Sequence, residues 1–152
     1  MDSREERNIP LTPLIEEHDE VILFCERIRE GLRNKTDLNR IKNYVDWFKE
    51  TYLDPHFEIE TKYIFPILGI TNVRVKRGPA NHRRLQRLFA TKDLNKALNL
   101  IEEELSTYIG YEERVLYTEI KKLATREQWE NIEEKHKALN FADNWNDPFW
   151  KV

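Results

Sequence analysis

The stretch YLDPHFEIETKYIFP, residues 52–66, sets His56 and Glu60 four residues apart inside an apolar run. Four residues make about one helical turn, so the imidazole and the carboxylate share a face. The neighbours Phe57, Ile59, Tyr63 and Ile64 make that face an inward one. Elsewhere His18, His82, Tyr108 and Glu112 each fill a gap in an apolar stripe of helical period. A lone core histidine is usually no more than hydrogen-bonded, and a buried tyrosine usually packs with its hydroxyl satisfied. Two inward carboxylates are harder to account for, because an unpaired one costs several kcal/mol or takes up a proton. The nearest cations in sequence, Lys62, Arg83 and Arg84, fall on other faces of their helices.

Imidazole and carboxylate together suit iron, manganese or zinc. Two carboxylates with few other ligands suit two metal ions about 3.5–4 Å apart, each carboxylate bridging both. On this count His18 and His56 serve one ion, His82 and Tyr108 the other, and Glu60 and Glu112 add one oxygen to each. A solvent-derived bridge brings each ion to roughly five donors and leaves a vacant position for dioxygen, peroxide or nitric oxide.

Such a layer needs helices to hold it. After a polar arm (1–11), Thr12 as N-cap and Pro13 in the first turn open a helix whose inner stripe is Leu14, His18, Val21, Cys25, Ile28 and Leu32. NKTD ends it. A second helix starts near Asp37, carries Leu38, Ile41, Val45, Phe48 and Tyr52 inward, meets Pro55 where a kink is expected, and continues to FPILG. Residues 69–80 form a connection. ANHRRLQRLFA is a third helix, and a fourth opens at TKDL with Leu94, Ala97, Ile101, Leu105, Tyr108, Glu112, Val115 and Ile120 inside. A shorter fifth helix (about 125–140) and the aromatic tail FADNWNDPFWKV follow.

The halves echo each other. HFEIETKYIFPIL aligns without gaps on YIGYEERVLYTEI, setting His56 over Tyr108 and Glu60 over Glu112, and EEHDEVILF is similar to ANHRRLQRLF. A helical hairpin used twice makes an up-down four-helix bundle with pseudo-twofold symmetry. The expected architecture is therefore all-α: a bundle over 12–123, with the short helix and tail of 124–152 packed on it.

Composition agrees. The chain has 152 residues, 35% of them charged, with 4 glycines and 6 prolines, which favours one domain of long helices. A net charge of −3 gives no field for nucleic acid, and no apolar run approaches the ~20 residues of a membrane span. The lone Cys25 excludes an internal disulfide framework, and the charged start MDSREER is unlike a signal peptide. The expected location is cytoplasmic.

The order His, then His-x-x-x-Glu, then His, then a final x-x-x-Glu, with the phrases EEHDE and HFEIETKYIFP, resembles the hemerythrin-like (HHE cation-binding) family over about 12–123. The resemblance implies a non-haem di-iron centre, two iron ions with an oxo or hydroxo bridge, held by His18, His56, Glu60, His82 and Glu112. Two departures matter. The family's fourth-helix histidine is Tyr108 here, and the third helix's second histidine of the oxygen carriers falls at Gln86. Tyr108 is either a phenolate ligand or a filler of the lost donor's space. A hard anionic donor favours ferric iron, which points away from reversible oxygen carriage and towards oxygen or peroxide chemistry. The expected function is binding or reduction of dioxygen or peroxide species. The rivals are a non-catalytic iron- or oxygen-sensing or storage module, and a metal-free structural bundle.

Other residues have plainer readings. His136 is expected on a solvated face, or as a stand-in for the missing histidine if its helix folds back. Glu16, Glu17, Asp19, Glu102, Glu103, Glu104 and Glu113 read as a charged exterior, from which one carboxylate could orient a histidine. Cys25 reads as packing. Trp145 and Trp150 either cap the bundle or make a homo-oligomer contact.

Overall fold

The structure is a computed structural model that describes residues 12–69 and 76–151, with side chains from His18 onward. The polar arm, the inner position of Leu14 and the outer ones of Glu16 and Glu17 lie outside those described residues and side chains. The chain is all-helical, with five helices and no strand among the described residues. They are α1 (Thr12–Arg33), α2 (38–68), α3 (Arg77–Phe89), α4 (94–123) and α5 (Arg126–Leu139).

Local chemistry fixes the ends. The Asp37 carboxylate accepts from the Asn39 N–H and opens α2; Asp93 does the same for Lys96 at the start of α4. Thr125 and Gln128 form a reciprocal capping box ahead of α5. Gly69, at φ +86°, ends α2 in a conformation that a side chain would resist. α3 begins at Arg77, earlier than its apolar pattern suggests. Pro79 is tolerated there because first-turn N–H groups have no helical partner to lose.

Three widened π-turns interrupt the longer helices: Lys49–Leu53 and Glu60–Ile64 in α2, and Glu112–Leu116 in α4. Each is closed by an N–H reaching five residues back, from Asp54 to Lys49, Phe65 to Glu60 and Tyr117 to Glu112. The first accommodates Pro55, so the helix runs on through the proline. In the aligned half, Thr107 stands where Pro55 does, and residues 101–105 are ordinary α-helix. The second and third fall at matching places of the internal repeat, each beginning at one of the two inward glutamates. Proline does not explain this pair, since Thr118 aligns with Pro66.

α1 and α3 pack along α4, the first part of α2 lies against α1 and α4, and the ends of α2 and α4 meet. At one end of the shared core Phe24, Ile28, Ile41, Val45, Phe48, Leu98 and Ile101 are buried. Gly78 brings the start of α3 onto α2, because a Cβ there would stand 2.6 Å from Phe65 Cζ. α5 lies across the middle of α2 and buries Trp129, Ile132 and His136. The tail folds back, with Trp145, Phe149 and Trp150 packing around the buried Tyr44 at ring distances of 5.4–6.0 Å. Arg27 sits 4.0 Å over Trp150 and pairs with Asp143, while Arg40 pairs with Asp147. Within this chain the two tryptophans therefore cap the core. No helix among the described residues is long and apolar enough to cross a membrane.

Candidate metal centre

The inward phase of the polar stripes holds at five positions: His18, Glu60, His82, Tyr108 and Glu112 are all buried. His56 is half-buried. The side chains gather as two linked groups of three. In the first, His82 Nε2 lies 2.7 Å from Glu60 Oε2 and 2.8 Å from Tyr108 Oη, and the Tyr108 hydroxyl donates to Glu60 Oε2 at 2.8 Å. In the second, His18 Nε2 lies 3.3 Å from Glu112 Oε2 and 2.9 Å from Tyr117 Oη, and the Tyr117 hydroxyl donates to Glu112 Oε2 at 2.8 Å. A hydrogen bond from Glu112 to Glu60 joins the two groups.

His56 stands beside this layer. Its Nδ1 donates to the Tyr52 carbonyl at 2.6 Å, and its ring stacks on Tyr52 at 3.9 Å. His18, His56, Glu60, Glu112, Tyr117 and His136 share the lining of one cavity of about 20 Å³, room for a single water-sized guest.

The protonation pattern follows from burial. Desolvation raises both Glu60 and Glu112 to about 7, and the mutual repulsion of the two carboxylates adds to the rise of Glu112. Burial opposes charge on His18, but hydrogen bonds and charge from Glu112 and Glu113 outweigh it and raise His18 to about 9. His82, stacked on Phe57 at 3.9 Å and near Phe65, is pushed by burial down to about 4 and stays neutral. Burial and the two carboxylates lift the Tyr108 phenol well above its usual range, so it acts as a donor. Cys25 is likewise raised by burial, to about 11, as suits a packing residue.

Among the described residues no three His, Cys, Asp or Glu side chains are arranged to hold one ion between them. Each trio is completed by a tyrosine. The donor types are ones that iron, manganese or zinc accept: imidazole nitrogen, carboxylate oxygen and phenol oxygen come together from α1, α2, α3 and α4 in one buried layer. No family model matches the chain, and neither does any curated protein or solved structure.

Three neighbours depart from their sequence readings. His136, expected on a solvated face, is buried because α5 folds back onto α2. Glu113, read as exterior, reaches His18 Nδ1 at 3.1 Å and orients that ring. Tyr117 went unnoticed. Five residues along an α-helix is ~140° off the starting face, but the π-turn after Glu112 closes a full turn in five and returns Tyr117 to the Glu112 side.

A pH dependence follows for the metal-free chain. His18 is raised from 6.5 to about 9, so its contribution is whole below pH 6.5 and is lost as pH rises through 9. The glutamate contributions are whole below pH 4.5 and are lost as pH rises through about 7. His82 acts oppositely, its share whole above pH 6.5 and lost as pH falls through about 4. Above pH 6.5 only losses remain. Keeping His18 protonated to about 9 is worth on the order of 3 kcal/mol, so Tm should drop by about 5–10 °C between pH 6.5 and 9.5. Thermal unfolding of metal-free protein across that range checks this, and a flat profile would contradict the protonated His18.

Proposed function

We propose that the chain is a hemerythrin-like up-down four-helix bundle holding a non-haem di-iron centre that binds or reduces dioxygen or peroxide. The observation that carries this reading is the pair of His–Glu–Tyr groups joined through Glu60 and Glu112 in one buried layer. Glu60 and Glu112, hydrogen-bonded to each other, would hold the iron together with His18, His56, His82 and Tyr108. When bound, the iron pair would supply the Lewis acidity and the electrons for oxygen-species chemistry.

The chain's own groups supply the rest. Phe57 and Phe65 shield His82 from water. Val21, Leu105 and Ile109 give the small cavity apolar walls. Glu113 is part-exposed and holds His18 Nδ1, so Glu113, His18 and Glu112 form a hydrogen-bonded line along which protons can pass between solvent and the layer.

A metal-free bundle is the second reading, favoured by a specific observation: every polar side chain of the layer has a hydrogen-bond partner within the protein. Elemental analysis after iron loading separates the two. Close to two irons per chain is the expected result, and well under one would leave the metal-free reading standing.

A further inference from the structure

We propose that α5 supplies a metal ligand, His136, which binds the same ion as His56. The inference rests on the di-metal reading above and adds a donor from outside α1–α4. His136 is buried, and its ring centroid lies 5.6 Å from that of His56. Both rings are held in the same way. His56 Nδ1 lies 2.6 Å from the Tyr52 carbonyl and His136 Nδ1 2.9 Å from the Ile132 carbonyl, each four residues back on its own helix. A carbonyl only accepts, so Nδ1 carries a proton and it is through Nε2 that each ring would bind a metal. A backbone carbonyl on the far nitrogen is how proteins fix the tautomer and aim of a metal-binding histidine.

Position supports the same assignment. Both histidines line the cavity of about 20 Å³ together with His18, Glu60 and Glu112. That cavity is too small for an organic ligand, and three histidines and two glutamates stand among its apolar walls, which suits an ion. α5 is built to present His136 there: the Thr125–Gln128 box starts the helix, and Trp129, Ile132 and His136 form its buried stripe. His56 and His136 thus face one cavity from α2 and α5, while His82 and Tyr108 belong to the group around Glu60.

The test uses the full chain loaded with ferrous iron, compared as wild type and His136→Gln. Iron retention against a chelator should fall about tenfold or more in the variant. Amide exchange over 132–139 should slow on iron binding in wild type and not in the variant. Equal retention by both proteins would overturn the assignment while leaving the di-iron centre standing. A wild type that takes up no iron would instead remove the centre itself, and the assignment with it. If His136→Gln does not fold, wild-type amide exchange decides alone: unchanged protection over 132–139 with iron overturns the assignment, and slowing there beyond that of α3 supports it.

Discussion

Glu60→Ala and Glu112→Ala should each retain at least roughly tenfold less iron than the wild type after the same loading. Each glutamate belongs to one His–Glu–Tyr group and is hydrogen-bonded to the other glutamate, so its loss removes an oxygen from both sides of the layer. The metal-free forms should suffer as well. Without Glu112, the imidazolium of His18 keeps a single carboxylate, the part-exposed Glu113, and breaking a buried pair costs roughly 3–5 kcal/mol. Without Glu60, the Tyr108 hydroxyl and the His82 N–H both lose their acceptor, at about 1–3 kcal/mol each. Glu60→Gln and Glu112→Gln separate the two effects, since an amide keeps a hydrogen-bond acceptor in place while being a poor bridge. Glu103→Ala, at an exposed site, is the control. Elemental analysis that finds the same iron in all of these proteins would show that neither carboxylate binds metal.

Tyr108→Phe should abolish a broad visible absorption band of the oxidised, iron-loaded protein. A phenolate on ferric iron gives such a charge-transfer band, purple to blue-violet, and Tyr108 Oη is 2.8 Å from both Glu60 Oε2 and His82 Nε2. Its proton is tightly held, since burial and two carboxylates raise the phenol well above its usual range. The metal-free protein should therefore be colourless, with the band appearing only when ferric iron displaces the proton. The competitor is Tyr117, whose hydroxyl stands in the same relation to Glu112 and His18. Tyr117→Phe should leave the band in place. If the band survives in Tyr108→Phe and vanishes in Tyr117→Phe, the two tyrosines have exchanged roles; if it is absent from wild type at full iron content, neither phenol is a ligand.

Much of the scaffold could be read from apolar spacing and capping residues. Asp37, Asp93 and Thr125 mark helix starts because their side chains answer N–H groups that the helix leaves unpaired. The inward phase of His18, Glu60, His82 and Glu112 was legible for the same reason, as polar residues interrupting an apolar stripe. What could not be read came from two sources. The π-turns shift helical phase locally, and a phase count at ~100° per residue misplaces whatever follows them, Tyr117 above all. The position of α5 is a tertiary fact: its buried stripe of Trp129, Ile132 and His136 is sparse, and nothing local says that α2 will cover it. Glu113 reaches His18 from a part-exposed position, which no alternation of polar and apolar residues reveals.

The paired π-turns also bear on how the two halves are related. A widened turn is a helix that has absorbed one extra residue. Glu60–Ile64 and Glu112–Leu116 absorb theirs at matching points of two segments that align without a gap. If the two halves are copies of one ancestral hairpin, that residue entered before the copying, because two separate insertions would have had to land on the same site. The Lys49–Leu53 turn has no counterpart over 101–105, and Pro55 has none at Thr107. On the same premise the halves diverged at that turn after they parted, by gain in the first or loss from the second, on the side where His56 faces α5.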